Sequence, residues 1–175
     1  MKLARSQLSL KGRALRLLSG REYSRQELGR RLATYEEVPG ELAKILDELQ
    51  DKGFISEARV VESVINRRSA KLGASRIRQE LQSKGLDRDV VTEAVASLQS
   101  TELARARLLW EKKFANKASG SADPGKTGKP GKPADRAAIA SERGKQIRYL
   151  ASRGFSGDTI RRVLAGPTDQ DVYED

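Results

Sequence analysis

The clearest match in this sequence to a motif with known chemistry is the phosphate-binding loop pattern at residues 120–127. The segment GSADPGKT places two glycines, a lysine and a threonine as the pattern GxxxxGK[ST] requires. Such a loop holds phosphate only where a buried strand precedes it and a helix follows, because those elements aim its amides at one point. No apolar strand precedes Gly120, and Pro130 and Pro133 soon follow. The sequence therefore predicts no nucleotide cofactor here.

Side chains suited to catalysis or metal binding are scarce. The chain contains no histidine and no cysteine, which excludes disulfides, thiolate ligands and histidine acid–base pairs. Its carboxylates are dispersed, and we interpret the adjacent pair Glu36–Glu37, just before Pro39, as part of a solvated loop. We predict no catalytic residue, no metal site and no cofactor, and hence a protein that is not an enzyme.

Basic side chains, by contrast, recur in clusters near predicted helix ends. About half of them are expected only to balance the carbonyl groups of helix C-termini. The others exceed what capping needs and suit contacts with phosphates or acidic side chains. The candidate partner-binding residues are Arg30, Arg31, Arg67, Arg68, Arg76, Arg78, Lys112, Lys113, Arg161 and Arg162.

The charge of the chain supports that interpretation. The 175 residues carry a formal net charge of +10. Residues 1–35 and 101–165 are strongly basic, whereas 36–100 is nearly balanced and the last ten residues are acidic. Such a distribution favours polyanionic partners, and weak non-specific DNA binding is expected from it. The alternative is a basic surface that only keeps the protein soluble.

The elements that must position these basic residues are predicted to be helices. Leu10, Ala14 and Leu17 repeat at helical spacing, and Ser24 with Glu27 fits the capping box of a short second helix. Similar patterns, separated by glycines, return along the chain. The alternation of apolar and polar residues that is typical of strands is missing. The sequence therefore predicts an all-α protein.

An internal repeat organises these helices. The segment LQSKGLD, residues 81–87, aligns with LASRGFS, residues 150–156. A unit of one long, one short and one medium helix is too small to bury its apolar faces alone, so neighbouring units must stack. We predict three such three-helix repeats, with helix-turn-helix-like units that stack end to end. Their bounds are 1–55, 56–100 and 101–165, with an acidic tail at 166–175.

The third repeat is interrupted by a segment rich in glycine, proline and lysine. Residues 117–133 contain no apolar side chain larger than alanine, so they cannot pack into a core. We predict an exposed, disordered loop at 117–138, inserted between two helices of the repeat rather than between domains.

Several segments, in order along the chain, resemble the RecX family of regulatory proteins. They are ALRLLSGREYSRQELGRRL at 14–32, LGASRIRQELQSKG at 72–85, KKF at 112–114, and YLASRGFS at 149–156 with IRRVL at 160–164. The sequence departs from the family pattern at Ala74, where proline is frequent. It departs also at Arg59–Val61 and in the length of the 117–133 insert.

The resemblance implies an elongated array of three tandem three-helix repeats, which binds the groove of the RecA filament on single-stranded DNA. It also implies inhibition of the recombinase, ATPase and co-protease activities of RecA in DNA repair. We expect a cytoplasmic monomer that does not bind membranes, because the N-terminal residues contain no continuous apolar segment.

A second hypothesis needs no RecA. Small three-helix units also occur in helix-turn-helix proteins, whose recognition helix reads DNA bases with arginine, asparagine or glutamine near its start. Only the second repeat offers such residues, in Arg76, Arg78 and Gln79. An autonomous DNA-binding regulator is therefore the alternative function.

Overall fold

The computed structural model describes residues 8–115 and 133–166. Across these residues the chain is helical and forms no strand, so the predicted all-α class is confirmed. A 3-10 turn lies at Ala33–Tyr35 and a π-helical turn at Glu111–Ala115. The α-helices are α1 (Leu10–Leu18), α2 (Arg25–Leu32), α3 (Glu41–Asp51), α4 (Glu57–Arg68), α5 (Ala74–Ser83), α6 (Arg88–Gln99), α7 (Glu102–Trp110), α8 (Pro133–Ser152) and α9 (Gly157–Ala165).

Helix α8 corrects the predicted loop. It begins at Pro133, so residues 133–138 are helical and the predicted end of the loop at 138 is wrong. Proline suits the first position of a helix, because the N–H that it lacks would have no partner there. The rest of the predicted loop, 117–132, lies outside the described residues, as do 167–175 of the acidic tail.

The described chain divides into two compact units. This division does not test the bounds predicted for the three repeats, 1–55, 56–100 and 101–165, which stay predictions. None of the described helices is long and apolar enough to cross a bilayer. The first unit contains residues 8–66 and 80–94, and the second contains 67–79, 95–115 and 133–166.

The core of the first unit lies between α1, α2 and α3, where the predicted apolar spacing buries one face of each helix. Helix α2 begins with the predicted capping box. The Ser24 Oγ accepts a hydrogen bond from the Glu27 N–H at 3.1 Å, and Glu27 Oε2 accepts one from the Ser24 N–H at 3.2 Å. The buried core residues are Leu10, Ala14, Tyr23, Leu28, Leu32, Leu42, Leu46, Leu49 and Ile55.

In the same unit, the start of α2 packs against the turn that follows α5. The Ser24 Oγ donates to the Lys84 carbonyl at 2.5 Å, and the buried Lys84 ammonium donates to Glu27 Oε1 at 2.9 Å. Gly85 has a φ of 72°. A Cβ at Gly85 would lie 1.9 Å from the Gln26 Oε1, so a side chain there is strained by the backbone conformation and requires the Gln26 side chain to move.

A turn of the same type has the same role in the second unit. The N–H groups of Gly73 and Ser75 donate to the carbonyls of Arg153 and Gly154, at 2.9 and 3.2 Å. Gly154 has a φ of 82°. A Cβ at Gly154 would lie 2.6 Å from the backbone nitrogen of Arg76. Because the overlapping atom belongs to the backbone, no side-chain rotation could remove the clash.

The two turns occupy equivalent positions of the internal repeat. In each, the carbonyl just before the glycine, that of Lys84 or Arg153, accepts a hydrogen bond from the residue that precedes a short helix. That residue is Ser24 before α2 and Gly73 before α5, and it donates through a hydroxyl in one case and a backbone N–H in the other. We call these two contacts the helix-start junctions.

Alanine substitutions at three glycines should separate backbone strain from junction packing. Gly53→Ala should lower the unfolding free energy by about 1–2 kcal/mol, because its φ is 73° but nothing lies within 4 Å of the new Cβ. Gly154→Ala should cost at least about 2 kcal/mol more, because it also overlaps backbone. Gly85→Ala should fall between them, since the Gln26 side chain can move. Urea denaturation followed by circular dichroism measures the three losses, and equal losses at 53 and 154 would contradict the packing explanation.

Glu27 should make the first junction sensitive to pH. Burial alone would raise the pKa of its carboxyl, but hydrogen bonds from Lys84, Arg21 and the Ser24 N–H lower that pKa below its ordinary value. A lowered pKa stabilises the fold above the unfolded pKa of about 4.3, and this stability is lost as the pH falls through the folded pKa.

We therefore expect the unfolding free energy of the wild type to fall between about pH 5 and pH 3 more steeply than that of Glu27→Gln. Urea denaturation at stepped pH measures the two slopes. Glu93→Gln, at an exposed position of α6, is the control and should keep the slope of the wild type. A Glu27→Gln slope equal to that of the wild type would remove Glu27 as the cause.

Candidate functional site

Helices α5, α7 and α9 line an open cleft of about 610 Å³ in the second unit. Three arginines line it, Arg78 from α5, Arg107 from α7 and Arg162 from α9, together with the hydroxyl group of Ser75. Arginine and hydroxyl donors suit the binding of phosphate or carboxylate oxygens. We refer to this site as the arginine cleft.

Local sequence explains how the arginines reach the cleft. Each one is next in sequence to a buried apolar residue of its helix, and adjacent helical positions point about 100° apart. A side chain beside the buried face therefore lies at the edge of the packed surface, with its aliphatic part against the protein and its charge toward solvent. The pairs are Ile77–Arg78, Ala106–Arg107 and Arg162–Val163.

A buried carboxylate ties the three helices together beneath the arginines. Glu102 is only 6% exposed. One of its oxygens accepts a hydrogen bond from the Ala74 N–H at 3.0 Å, and the other accepts one from the Thr159 hydroxyl at 2.9 Å. Because the first N–H groups of a helix have no partner within that helix, Glu102 also caps the start of α5.

The guanidinium of Arg105 stabilises the fold and does not line the cleft. Its guanidinium donates to the carbonyls of Ser69, Leu72 and Leu98 at 2.7, 2.9 and 2.9 Å. Burial lowers the pKa of Arg105, and the charge of Glu102 opposes that effect. The sequence analysis singled out neither Glu102 nor Arg105, since nothing in the local pattern distinguishes them from exposed charges of α7.

The charges of the arginine cleft favour anions. Of the two carboxylates in its lining, Glu102 has both oxygens engaged, and Asp158 pairs with Arg161 at 3.1 Å on the surface. Among the described residues, no group of acids could hold a metal ion. The arrangement offers donors for an anionic partner.

Two of the predicted residues, Arg78 and Arg162, meet in this cleft. Arg76 is near it in sequence but engages Gln79 at 2.9 Å and the Ser152 carbonyl at 3.4 Å. Arg161 faces its partner Asp158 on the solvent side of α9. Of these four candidates, the cleft contains Arg78 and Arg162, and it also contains Arg107, which was not among the residues predicted from the sequence.

The other predicted residues lie elsewhere on their units. In the first unit, Arg30 donates to Gln26 and to the Ser83 carbonyl, and Arg31 lies 5.4 Å from the ring centre of Tyr23. In the second unit, the exposed Arg67 and Arg68 end α4, and the exposed Lys112 and Lys113 lie in the π-helical turn. The Lys113 ammonium is 5.6 Å from the ring centre of Tyr149.

Comparison with known proteins identifies the domains of the chain. A model of the second three-helix domain of RecX matches residues 56–95, and a model of the third matches 134–164. The Regulatory protein RecX of Leptothrix cholodnii is 49% identical over 160 residues, covering 91% of this chain and 90% of that protein. That of Herminiimonas arsenicoxydans is 43% identical over 162 residues, covering 93% and 95%.

Solved structures show the same fold. The crystal structure of RecX from Lactobacillus salivarius superposes with a TM-score of 0.66, covering 89% of this chain and 92% of that one. The two sequences are 22% identical, so this likeness concerns the fold alone. The family resemblance and the fold predicted from sequence are both confirmed.

Removal of the Glu102 carboxylate should destabilise the second unit. Glu102→Ala leaves the Ala74 N–H and the Thr159 hydroxyl without their partner, which should lower the unfolding free energy by about 2–3 kcal/mol. Glu111→Ala, at an exposed position of the π-helical turn, should change it by less than about 0.5 kcal/mol. Urea denaturation of both variants measures the difference. Similar values would show that the Glu102 hydrogen bonds do not stabilise the unit.

Proposed function

Because the chain belongs to the RecX family of regulatory proteins, we propose that it binds the RecA nucleoprotein filament and inhibits it. The inhibited activities would be the recombinase, ATPase and co-protease activities that serve DNA repair, recombination and the SOS response. The protein would act in the cytoplasm, as a monomer and by binding alone rather than as an enzyme.

The arginine cleft is the observation that supports this proposal most directly. A nucleoprotein filament presents DNA phosphates and acidic protein side chains, and Arg78, Arg107 and Arg162 supply donors for either. The three arginines lie on three different helices that Glu102 bonds together, so their backbone positions are set before a partner binds. Preorganised donors lose less conformational freedom on binding.

The remaining basic candidates would contribute weaker contacts. Their charges lie on exposed or half-exposed positions, and such contacts with phosphate are sensitive to salt and blind to sequence. We propose that they support weak, non-specific DNA binding along the filament. They are Arg30, Arg31, Arg67, Arg68, Arg76, Lys112, Lys113 and Arg161.

The alternative of an autonomous DNA reader is less well supported. Its recognition residues would have to reach base edges from the start of α5. The N–H groups of Gly73 and Ser75 at that start donate to the turn at Arg153 and Gly154, and Arg76 engages Ser152. Protein therefore covers the helix end that would have to enter the major groove.

Charge reversal in the arginine cleft should weaken inhibition of RecA. We expect Arg78→Glu combined with Arg162→Glu to raise the concentration that half-inhibits ATP hydrolysis by RecA on single-stranded DNA. Loss of two charge-assisted contacts, at about 1.5 kcal/mol or more each, corresponds to a rise of at least about 100-fold. The measurement is the ATPase rate at increasing ratios of protein to RecA.

The matched control is Arg88→Glu combined with Arg143→Glu, which changes the net charge equally at exposed positions of α6 and α8. It should inhibit nearly as well as the wild type. Both double variants should melt within a few degrees of the wild type, because exposed charges contribute little to folding. If the wild type inhibits at no ratio, the proposed function is wrong. Tight, sequence-dependent binding of duplex DNA without RecA would favour the alternative.

A further inference from the structure

A second cleft, of about 350 Å³, lies in the first unit beside the 3-10 turn that ends at Tyr35. Three arginines line it, Arg13, Arg16 and Arg31, and no acid does. Its other walls are apolar and include the buried Leu32. Among these residues the sequence analysis considered only Arg31 as a candidate, so the cleft is a feature of the folded chain.

An exposed aromatic ring stands at this cleft and is held in place. The Tyr35 side chain is 50% exposed. The Arg13 guanidinium lies 4.2 Å from its ring centre, and the Arg13 Nε donates to the Leu8 carbonyl at 3.0 Å. The guanidinium therefore lies over the ring and is anchored by a backbone contact. Such a pair presents flat surfaces on which a further planar group can stack.

The charges around the Arg13–Tyr35 pair differ between its two sides. Arg13 and Tyr35 also line a neighbouring cleft of about 380 Å³, which contains Glu37 and Glu41. A chain of phosphates would be repelled on that side and attracted on the side of Arg16 and Arg31.

We propose that this cleft binds one nucleotide of single-stranded DNA. The base stacks on the Arg13–Tyr35 pair, and the adjoining phosphates contact Arg16 and Arg31. Stacking requires a single strand, because the bases of a duplex are already stacked on each other. The inference rests on the DNA-binding part of the proposed function and deepens it by naming a site and a form of DNA.

The test measures fluorescence anisotropy of a labelled oligothymidylate and of a duplex of equal length, without RecA. Tyr35→Leu removes the ring but keeps apolar volume, and should weaken binding of the single strand about 10-fold. It should leave duplex binding unchanged. Tyr35→Phe keeps the ring and should bind as the wild type does. Because Tyr35 is half exposed, we expect all variants to melt like the wild type.

Salt dependence separates the two kinds of contact. The slope of log Kd against log salt concentration reports phosphate contacts, at about 0.7 per contact for single strands. Tyr35→Leu should keep this slope, whereas Arg16→Gln and Arg31→Gln should each reduce it by about 0.7. If Tyr35 only stabilised the fold, Tyr35→Leu would weaken duplex binding and single-strand binding together, with no difference between the two forms of DNA.

Several results would overturn the inference. They are normal single-strand binding by Tyr35→Leu, an equal loss by Tyr35→Phe, or an equal loss for duplex. Competition by polyglutamate as strong as that by unlabelled oligothymidylate would mean that the cleft takes acidic protein segments instead. Full competition by inorganic phosphate would mean that no base is bound.

The outcome is separate from that of the proposed function. If Tyr35→Leu binds the strand normally while the wild type inhibits RecA, only this inference fails. If Tyr35 is needed for strand binding but the wild type does not inhibit RecA, only the inhibitory function fails.

Discussion

The packing of a helix start against a glycine turn is the contact on which the rest of the structure depends. At Gly85 and Gly154 the chain takes a positive φ, and the beginning of another helix lies so close that a Cβ would overlap it. The carbonyls of Lys84 and Arg153 accept hydrogen bonds from the residues before α2 and α5. Helix starts are rich in unpaired N–H groups and helix ends in unpaired carbonyls, so each junction satisfies polar groups that burial would otherwise make costly.

The arginine cleft follows from the second junction. With the start of α5 set against the turn at Gly154, the Ala74 N–H comes within reach of Glu102 on α7, and Glu102 in turn holds Thr159 on α9. Three helices are thereby fixed by one buried carboxylate. The backbone positions of Arg78, Arg107 and Arg162 are set by the same packing, because each lies beside a buried residue of a helix that is already placed.

The cations of this protein divide by what they contact. Arg105 donates to three carbonyls, and the Lys84 ammonium pairs with Glu27. These charges stabilise the interior of the unit in which each one lies. The arginines of the two clefts lie at edges of the packed surface and are suited to anions from outside. Arginine can therefore stabilise the fold where it is buried and offer donors to an external anion where it is exposed.

The sequence alone determined what depends on neighbours along the chain. Helical periodicity predicted the all-α class and the buried positions Leu10 and Ala14 of α1, and a short-range signal predicted the capping box at Ser24. It could not show that Arg78 and Arg162 meet while Arg76 and Arg161 do not, that Glu102 is buried, or that Arg13 lies over Tyr35. The loop predicted at 117–138 ended too late in the sequence. Proline was taken as a helix-breaking residue, whereas Pro133 is the first residue of α8. The meeting of Arg78 and Arg162, the burial of Glu102 and the contact of Arg13 with Tyr35 were decided by tertiary structure. They depend on which helices pack together, and such packing joins residues that are far apart in sequence.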